Sequence, residues 1–388
     1  MHNFNFFAEK PGTHYRKSDS LFIVLVMLLW GIGMVTLYFC SSAYGQKIFG
    51  SPFHFVFRQF ISSAIGFVLL LFFAVVDVEK VRKILPLIVF GAIFLCLLTF
   101  IPGIGVERNG ARRWIKIPYF STFQPSEAIK FAMVLFLANI FDKQENLPEE
   151  EKSIFPAFVG LFVFSAIIIF QQDFSTAIFV FCVGMMLFFV TGARLRWFIP
   201  LSFFLIPIAA ILILSKPYRV NRILGFIAPE SYAQSLNWQV NGAKRAITDG
   251  GILGQGISSG LTKLSGVPEI QSDYVFAGWA EAMGLFGVAV YLALLGFLLW
   301  RVFKICMSCG NRFAAISTFG FGSIIVAQSL MNIAVVGGVI PATGVPLPFF
   351  SSGGSSMIFT LAMCGFIINS SRIEQTEENI FLPESSCR

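Results

Sequence analysis

The chain has 388 residues, of which 56% are hydrophobic and 13% are charged, and its formal net charge is +7. A soluble domain of this length has about twice that charged fraction, so composition excludes a soluble globular protein. The alternating ten-residue segments of a transmembrane β-barrel do not occur. The positive charges are spread over many loops, so we expect no nucleic-acid partner.

Ten apolar segments of about twenty residues are predicted to form transmembrane helices. They occupy residues 20–41, 54–76, 84–101, 124–141, 154–171, 174–191, 197–215, 274–300, 313–340 and 352–371. The polar segments on the N-terminal side of the membrane carry the basic residues Lys10, Arg16, Lys17, Lys80, Arg82, Lys83, Arg194, Arg196, Arg301, Lys304, Arg312 and Arg372. Because Lys and Arg are enriched in cytoplasmic loops, this side is predicted to be cytoplasmic.

The sequence therefore predicts an all-α polytopic membrane protein with about ten transmembrane helices and both termini in the cytoplasm. Residues 1–19 and 372–388 are cytoplasmic tails, and residues 20–371 form the transmembrane domain. Two outer loops are sizeable. They are residues 102–123 and residues 216–273, the latter a large extracytoplasmic loop between spans 7 and 8.

The first outer loop contains a compact basic stretch. Short outer loops are usually poor in Lys and Arg, so a basic cluster there needs another explanation. An anionic ligand outside the membrane is the first to consider. The residues concerned are Arg108, Arg112, Arg113 and Lys116.

Several ionisable residues lie at the outer ends of the predicted spans. Because a charged side chain in the membrane is energetically costly, each of them is a candidate for a functional role. Glu127 and Lys130 stand three residues apart at the start of span 4 and can pair on one helix face. Asp173 is placed to cap span 6, and it can face a ligand at the same time. Asp273 lies where the long outer loop meets span 8, either as a helix cap or as a functional carboxylate.

Span 9 and the turn that follows it add polar groups at the same level. Gln328 and Asn332 are four residues apart on one face, for which interhelical hydrogen bonding is the ordinary explanation. The turn at 341–356 contains prolines and adjacent glycines that exclude regular helix. Such backbone at membrane depth must be buried or line a cavity. The turn is predicted to be a re-entrant wall of a polar cavity, with Ser352, Gly353, Gly354 and Ser355 at its end.

Other chemistries are excluded by what the chain lacks. It has three histidines, His2 and His14 in the N-terminal tail and His54 at the edge of a loop, so a Ser-His-Asp triad or a His-based zinc site is excluded. The Gly-rich stretch 250–260 lacks the Gly-Lys-Ser/Thr of a nucleotide-binding loop. Any reaction must therefore depend on carboxylates, Lys or Arg side chains and amides.

Taken in order, these motifs resemble those of the SEDS family (shape, elongation, division and sporulation), whose members are polytopic peptidoglycan polymerases. The resemblance covers residues 18–372. The matching stretches are Asn109-Gly-Ala-Arg-Arg-Trp-Ile115, Gln124-Pro-Ser-Glu-Ala-Ile-Lys130, Gln172-Asp-Phe-Ser-Thr-Ala177, Ser272-Asp-Tyr-Val-Phe276 and Pro341-Ala-Thr-Gly-Val-Pro-Leu-Pro-Phe-Phe-Ser-Ser-Gly-Gly-Ser-Ser356. The family usually has Pro where Gln172 stands.

The resemblance implies a lipid II glycosyltransferase that works with a class B penicillin-binding transpeptidase and other division proteins in the bacterial cytoplasmic membrane, at the septum. It implies that Asp273 is the essential catalytic residue and that Trp114 and the Glu127–Lys130 pair occupy further family positions. Residues 229–232 and Lys263 resemble the FtsW branch more than the RodA branch.

In the mechanism expected from this resemblance, Asp273 is the general base on the acceptor hydroxyl of one lipid-linked sugar chain. The basic loop then stabilises the departing diphosphate, with or without a divalent cation such as Mg²⁺ or Mn²⁺. Alternatives are a RodA-type elongation polymerase, a lipid II flippase and a non-catalytic scaffold. A flippase should need polar residues in both leaflets, whereas the inner halves of the predicted spans are nearly uncharged.

Overall fold

A computed structural model describes residues 17–108, 111–117, 122–145, 147–148, 152–192, 210–211, 213–227, 238–256 and 270–373. Most of these residues are helical. The helices are α1 (Ser20–Phe49), α2 (His54–Val75), α3 (Val78–Lys83), α4 (Leu85–Leu98), α5 (Ser126–Glu145), α6 (Phe155–Phe170), α7 (Phe174–Val190), α8 (Pro217–Ile227), α9 (Trp238–Gly250), α10 (Val275–Ser308), α11 (Arg312–Val336) and α12 (Gly354–Ser370).

Nine of the ten predicted spans coincide with one of these helices, while span 7, predicted at 197–215, lies almost wholly outside the described residues. By length and composition, α1, α2, α10 and α11 can cross a membrane, and α4, α6, α7 and α12 are shorter apolar helices. The protein is therefore a multi-pass membrane protein. The number of ten spans and their orientation stay predictions.

Polar caps define where several helices begin. Asp19, Asp77, Asp173 and Asn311 each accept a hydrogen bond from a backbone N–H in the first turn of the helix that follows. Such caps satisfy donors that have no partner within the helix. The Asp173 side chain, predicted as a cap from sequence, accepts from Thr176 N at 3.3 Å.

The centre of the bundle is formed by α5, α11 and α12. Every residue of α12 but one is buried, and almost all of the first thirteen residues of α5 are. The helix α12 packs closely against α2, where a Cβ on Gly365 would overlap the backbone of Leu70. This central position fixes the N-terminus of α12 and the turn that precedes it.

The all-α prediction was wrong for the first outer loop, which forms a small antiparallel sheet in the order β1-β2-β3. The strands are β1 (Gly105–Arg108), β2 (Ala111–Lys116) and β3 (Thr122–Phe123). In β2 only Ala111 and Ile115 are buried. With the charged residues between them, this short stretch lacks the strict alternation by which a strand is recognised in sequence.

Span 8 was predicted as one continuous helix, but α10 is broken at Gly284, where φ is 63°. Residues 250–256 dock into the break. Leu285 N donates to Gly251 O at 2.9 Å, and Gln255 N donates to Glu281 O at 3.0 Å. A Cβ at Gly284 would overlap Gly254 N, so both the conformation and the contact require glycine. The glycines at 250–256 therefore serve helix packing.

The start of α1 and the end of α12 meet at one end of the bundle. Asp19 pairs with Arg301 of α10, and its backbone N–H donates to Ser371 Oγ at 3.0 Å. At the same end Arg82 pairs with Asp142 at 2.7 Å. The two ends of the transmembrane domain thus lie on the same side, as an even number of spans requires, and the candidate site lies at the opposite end.

Candidate functional site

A polar cavity of about 270 Å³ lies at the bundle end opposite Asp19, between the loop helices α8 and α9, the ends of α10 and α11, and the turn at 341–345. Asp273 and Tyr274 line it just before α10 begins. The remaining lining residues are Asn221, Arg222, Gly225, Phe226, Gln239, Val240, Asn241, Lys244, Asn332, Val335, Gly338, Ile340, Pro341, Ala342, Gly344 and Val345.

Asp273 is half-buried at the wall of this cavity and is the one carboxylate among its described lining residues. The turn approaches it closely. A Cβ built on Gly344 would lie 3.7 Å from Asp273 Oδ2. A carboxylate at the wall of a cavity, with backbone on one side, can accept a proton from a hydroxyl bound in that cavity.

Two basic side chains that were not predicted to be part of the site share the cavity with Asp273. Arg222 of α8 is half-buried, and its Nη1 donates to Ala342 O at 2.8 Å. Lys244 of α9 lies against the end of α11, where a Cβ on Gly338 would overlap its Nζ. A cavity lined by one carboxylate and two cations can support proton removal and the stabilisation of anionic phosphate in one place.

A predicted pair of amides holds the wall of the cavity in position. Asn332 Nδ2 donates to Asp273 O at 3.0 Å and to Val345 O at 2.9 Å. One turn earlier on α11, Gln328 Nε2 donates to Pro346 O at 2.9 Å. Both amides are buried, so they link α11 to the turn and, through Asn332, to the backbone of Asp273.

Glu127 and Lys130 form a buried ion pair behind this wall. Lys130 Nζ lies 2.8 Å from Glu127 Oε2 and 2.7 Å from Gln328 Oε1, and both side chains are at most 4% exposed. Neither residue lines the cavity. The pair was predicted as a cavity-lining or substrate-binding element, and this role stays a prediction. In the structure Lys130 contacts Gln328.

The turn before α12 is packed into the bundle as predicted for a re-entrant wall. Ser352 N donates to Gln271 O at 2.8 Å, close to Asp273 in sequence. Gly353 caps α12, Gly354 is its first residue, and Ser355 Oγ accepts from Gln124 N at 3.2 Å. These four residues lie beside the cavity lining and not within it.

The basic loop lies at the same end of the bundle but outside the described lining of the cavity. Arg112 is exposed and pairs with Glu107 at 3.1 Å, and Lys116 is exposed. Arg113 turns inward, 3.5 Å from Asp173 Oδ1, and its guanidinium is 5.9 Å from the ring centroid of Trp114. The side chain of Arg108 lies outside the described part. A role of this loop in binding diphosphate stays a prediction.

Within the described residues there is no group of three or more His, Cys, Asp or Glu side chains that could hold a metal ion. Asp273 could supply one carboxylate oxygen from the cavity wall. Mg²⁺ commonly accepts such a partial site, because it retains water and binds substrate phosphates.

The helical bundle and this cavity define a multi-pass membrane protein with a polar site at one end. A family model described as "Cell cycle protein" (FtsW, RodA, SpoVE) matches residues 19–376. The chain belongs to this family, the SEDS family that its motifs suggested, and it is FtsW-like.

Similar proteins cover nearly the whole chain. Stage V sporulation protein E of Bacillus subtilis is 34% identical over 361 residues, which is 93% of this chain and 98% of that protein. A probable peptidoglycan glycosyltransferase FtsW of Geobacter sulfurreducens is 33% identical, over 91% of this chain and 95% of that protein.

Two solved structures share the fold. One, described as "Structural coordination of polymerization and crosslinking by a peptidoglycan synthase complex", is 26% identical with a TM-score of 0.74, and covers 92% of this chain and 98% of that one. RodA of Thermus thermophilus has a TM-score of 0.67 at 23% identity, and covers 92% of this chain and 97% of that one. The second likeness concerns the fold alone.

Proposed function

We propose that the protein is a peptidoglycan glycosyltransferase that polymerises lipid II at the outer face of the bacterial cytoplasmic membrane during septal wall synthesis. The observation that carries the proposal is Asp273 at the wall of a polar cavity that also contains Arg222 and Lys244. Membership of the family and the FtsW and SpoVE relatives support the same activity.

In the proposed reaction, Asp273 removes the proton from the 4-hydroxyl of the acceptor sugar. The resulting oxygen attacks the anomeric carbon of the lipid-linked donor, a new glycosidic bond forms, and the bond from that carbon to the donor's diphosphate breaks. The diphosphate leaves with the bonding electron pair. Positioned general bases contribute about 10²–10⁴-fold to such reactions.

Arg222 and Lys244 are the groups proposed to stabilise the departing diphosphate. Both line the cavity with Asp273, whereas the basic loop does not. Arginine binds phosphate oxygens through parallel N–H donors, and lysine acts as a point charge. This assignment moves the diphosphate contact from the first outer loop, where sequence predicted it, to the second.

The proposed partner is a class B penicillin-binding transpeptidase. Support comes from the similar structure of a peptidoglycan synthase complex that coordinates polymerization and crosslinking. Ten spans with both termini in the cytoplasm would place the Asp273 cavity outside, where lipid-linked precursors are assembled into wall.

The direct test is to incubate the purified chain with labelled lipid II, with and without the transpeptidase, and to separate glycan strands on a gel. Strands of many disaccharides are expected. A parallel assay follows lipid II crossing the bilayer of proteoliposomes. Translocation without strand formation, in the presence of the partner, would contradict polymerisation and support a flippase.

We expect Lys244→Gln and Arg222→Gln each to lower the polymerisation rate at saturating lipid II by about 10- to 100-fold, because a hydrogen bond to a charged group contributes about 1.5–3 kcal/mol. The measurement is kcat from strand formation. Arg245→Gln is the matched control, since Arg245 is exposed on the same helix as Lys244 and does not line the cavity. Equal rates for Lys244→Gln and Arg245→Gln would contradict the role of Lys244.

Replacement of Asn332 by Ala removes its hydrogen bonds to the part-buried Asp273 O and to the buried Val345 O. We expect a loss of stability of about 1–3 kcal/mol. We also expect kcat to fall by more than the fraction of unfolded protein accounts for. Asn369→Ala is the control. Asn369 also donates to two carbonyl groups, those of Phe73 and Val76, but at the opposite end of the bundle. If the two variants lost activity equally, Asn332 would have only a structural role.

A further inference from the structure

Asp173, at the start of α7, contacts parts of the chain that are remote from it in sequence. Its Oδ1 lies 3.5 Å from Nη1 of Arg113, in β2, and its Oδ2 accepts from Gln124 Nε2, just before α5, at 3.2 Å. Arg113 also donates from Nη2 to the neighbouring Gln172 O at 2.9 Å. A helix cap needs only the bond from Thr176 N to Oδ1. The side chain therefore has contacts beyond those of a cap.

The burial of Asp173 makes these contacts energetically important. The residue is 2% exposed. A buried carboxylate destabilises a fold unless it is both paired with a cation and hydrogen-bonded. Arg113 and Gln124 are therefore held in place, because a movement of either one would leave the buried charge less well compensated.

The turn between α6 and α7 holds the first outer loop at both of its ends as well as at β2. Gln171 Nε2 donates to Cys96 O at 3.1 Å and to Thr99 Oγ1 at 3.2 Å, where α4 ends and the loop is about to begin. Gln124, which Asp173 binds, directly follows the loop. The position of the whole loop thus depends on this one turn.

Gln124 extends the connection to the turn before α12. Its backbone N–H donates to Ser355 Oγ at 3.2 Å. Three residues earlier, Ser352 N donates to Gln271 O at 2.8 Å, two residues before Asp273. A series of hydrogen bonds and short backbone segments therefore leads from the turn between α6 and α7 to the cavity wall that carries Asp273.

We propose that Asp173 is a positioning residue for polymerisation, which fixes the turn before α12, and with it the cavity wall at Asp273, relative to the first outer loop. The inference rests on the proposed function. Asp173 does not line the cavity, so it acts through Gln124 and not by contact with substrate. Catalysis is sensitive to such placement, since a displacement of about 1 Å can lower a rate by about 100-fold.

Two substitutions separate the helix cap from the remote contacts. Asn and Ser cap helices about as well as Asp does, so both leave the cap of α7 in place. Asp173→Asn removes the charge opposite Arg113 but can keep a hydrogen bond to Gln124 if the glutamine amide turns over. Asp173→Ser shortens the side chain and removes both remote contacts.

The first measurement is kcat and KM for lipid II with the purified full-length protein. We expect Asp173→Ser to lower kcat by about 10- to 100-fold and to leave KM within about threefold, with a smaller fall in kcat for Asp173→Asn. Asp142→Asn is the matched control, because it breaks another Arg–Asp pair, the 2.7 Å contact with Arg82 at the opposite end of the bundle. It should keep the wild-type kcat.

Three results would overturn the inference. One is a wild-type kcat for Asp173→Ser, and another is an equal fall in kcat for Asp142→Asn, which would indicate a general loss of stability. The third is a raised KM with an unchanged kcat, which would indicate a substrate contact. Asp173→Asn undergoes the same tests if Asp173→Ser does not fold.

The second measurement, hydrogen exchange of the turn before α12, needs no turnover. We expect the peptide that contains the Ser352 amide to exchange about tenfold faster in Asp173→Ser, and at the wild-type rate in Asp142→Asn. Unchanged exchange in Asp173→Ser would contradict the connection. If wild type makes no glycan, the proposed function fails, and the exchange result alone decides whether Asp173 fixes the turn.

Discussion

Replacement of Asp273 by Asn is expected to lower lipid II polymerisation by at least about a hundredfold. The amide has nearly the shape of the carboxylate but cannot take the acceptor's proton, and a general base contributes about 10²–10⁴-fold. The hydrogen bond from Asn332 goes to the backbone oxygen of Asp273, so the substitution does not remove it. The measurement is the initial rate of strand formation, made beside a thermal unfolding curve that verifies folding.

The matched control for this substitution is Asp249→Asn. Asp249 is exposed at the end of α9, and the bond from Gln255 goes to its backbone oxygen. It should retain the wild-type rate. A folded Asp273→Asn protein that kept more than about a tenth of that rate would exclude Asp273 as the general base. That result would not contradict the proposal that the protein is a polymerase.

The largest expected effect on stability is that of Lys130→Met. The substitution leaves the carboxylate of Glu127 buried at 3% exposure without its ion-pair partner. Breaking a buried pair in this way costs about 3–5 kcal/mol. It also removes the 2.7 Å contact to Gln328 Oε1, and with it part of the support for the turn at Pro346. The measurement is the free energy or temperature of unfolding in one detergent.

Two further variants identify the cause of this loss. Lys143→Met, an exposed position on the same helix, should change stability little. The double variant Glu127→Gln/Lys130→Met removes both charges and should recover much of the loss, because the penalty arises from one unpaired buried charge. A double variant as unstable as Lys130→Met would show that packing, and not the ion pair, determines the effect.

The two ends of the bundle use their charges differently. At the Asp19 end, Arg301 and Arg82 are each paired with a carboxylate that joins two helices. At the other end, Arg222 and Lys244 share a cavity with Asp273, and Arg113 pairs with Asp173. The cations at the Asp19 end therefore join helices, whereas Arg222 and Lys244 lie at a cavity wall where a diphosphate is proposed to bind.

Sequence predicted the polar groups of the site better than their roles. Asp273, Asn332 and the turn before α12 were all predicted, and they do meet at one wall. The basic loop was predicted to be part of the site because it is rich in Lys and Arg, whereas short outer loops are usually poor in them. Arg222 and Lys244, which line the same cavity, were not among the predicted residues, since they occur in a long outer segment where basic residues carry no such signal.

Two local features, the backbone conformation of Gln172 and the break in α10, could not be predicted from the sequence. Gln172 has a φ of 63°, which proline cannot adopt, although the family usually has proline at this position. Its carbonyl oxygen accepts a hydrogen bond from Arg113. The break in α10 at Gly284 depends on residues 250–256, which fill the interrupted hydrogen-bond ladder. Neither feature follows from the residue's own neighbours in the chain, because the partner is remote in sequence.

The sequence by itself determined the class of protein, nine of the helices and the family motifs, because the length and polarity of a membrane helix are local properties of the chain. Only the tertiary structure decided that Arg222 and Lys244 accompany Asp273, that Lys130 contacts Gln328, and that Arg113 meets Asp173. Those contacts join residues whose separation in the chain ranges from 29 (Lys244 and Asp273) to 198 (Lys130 and Gln328). They arise from how the bundle packs, which no local pattern records.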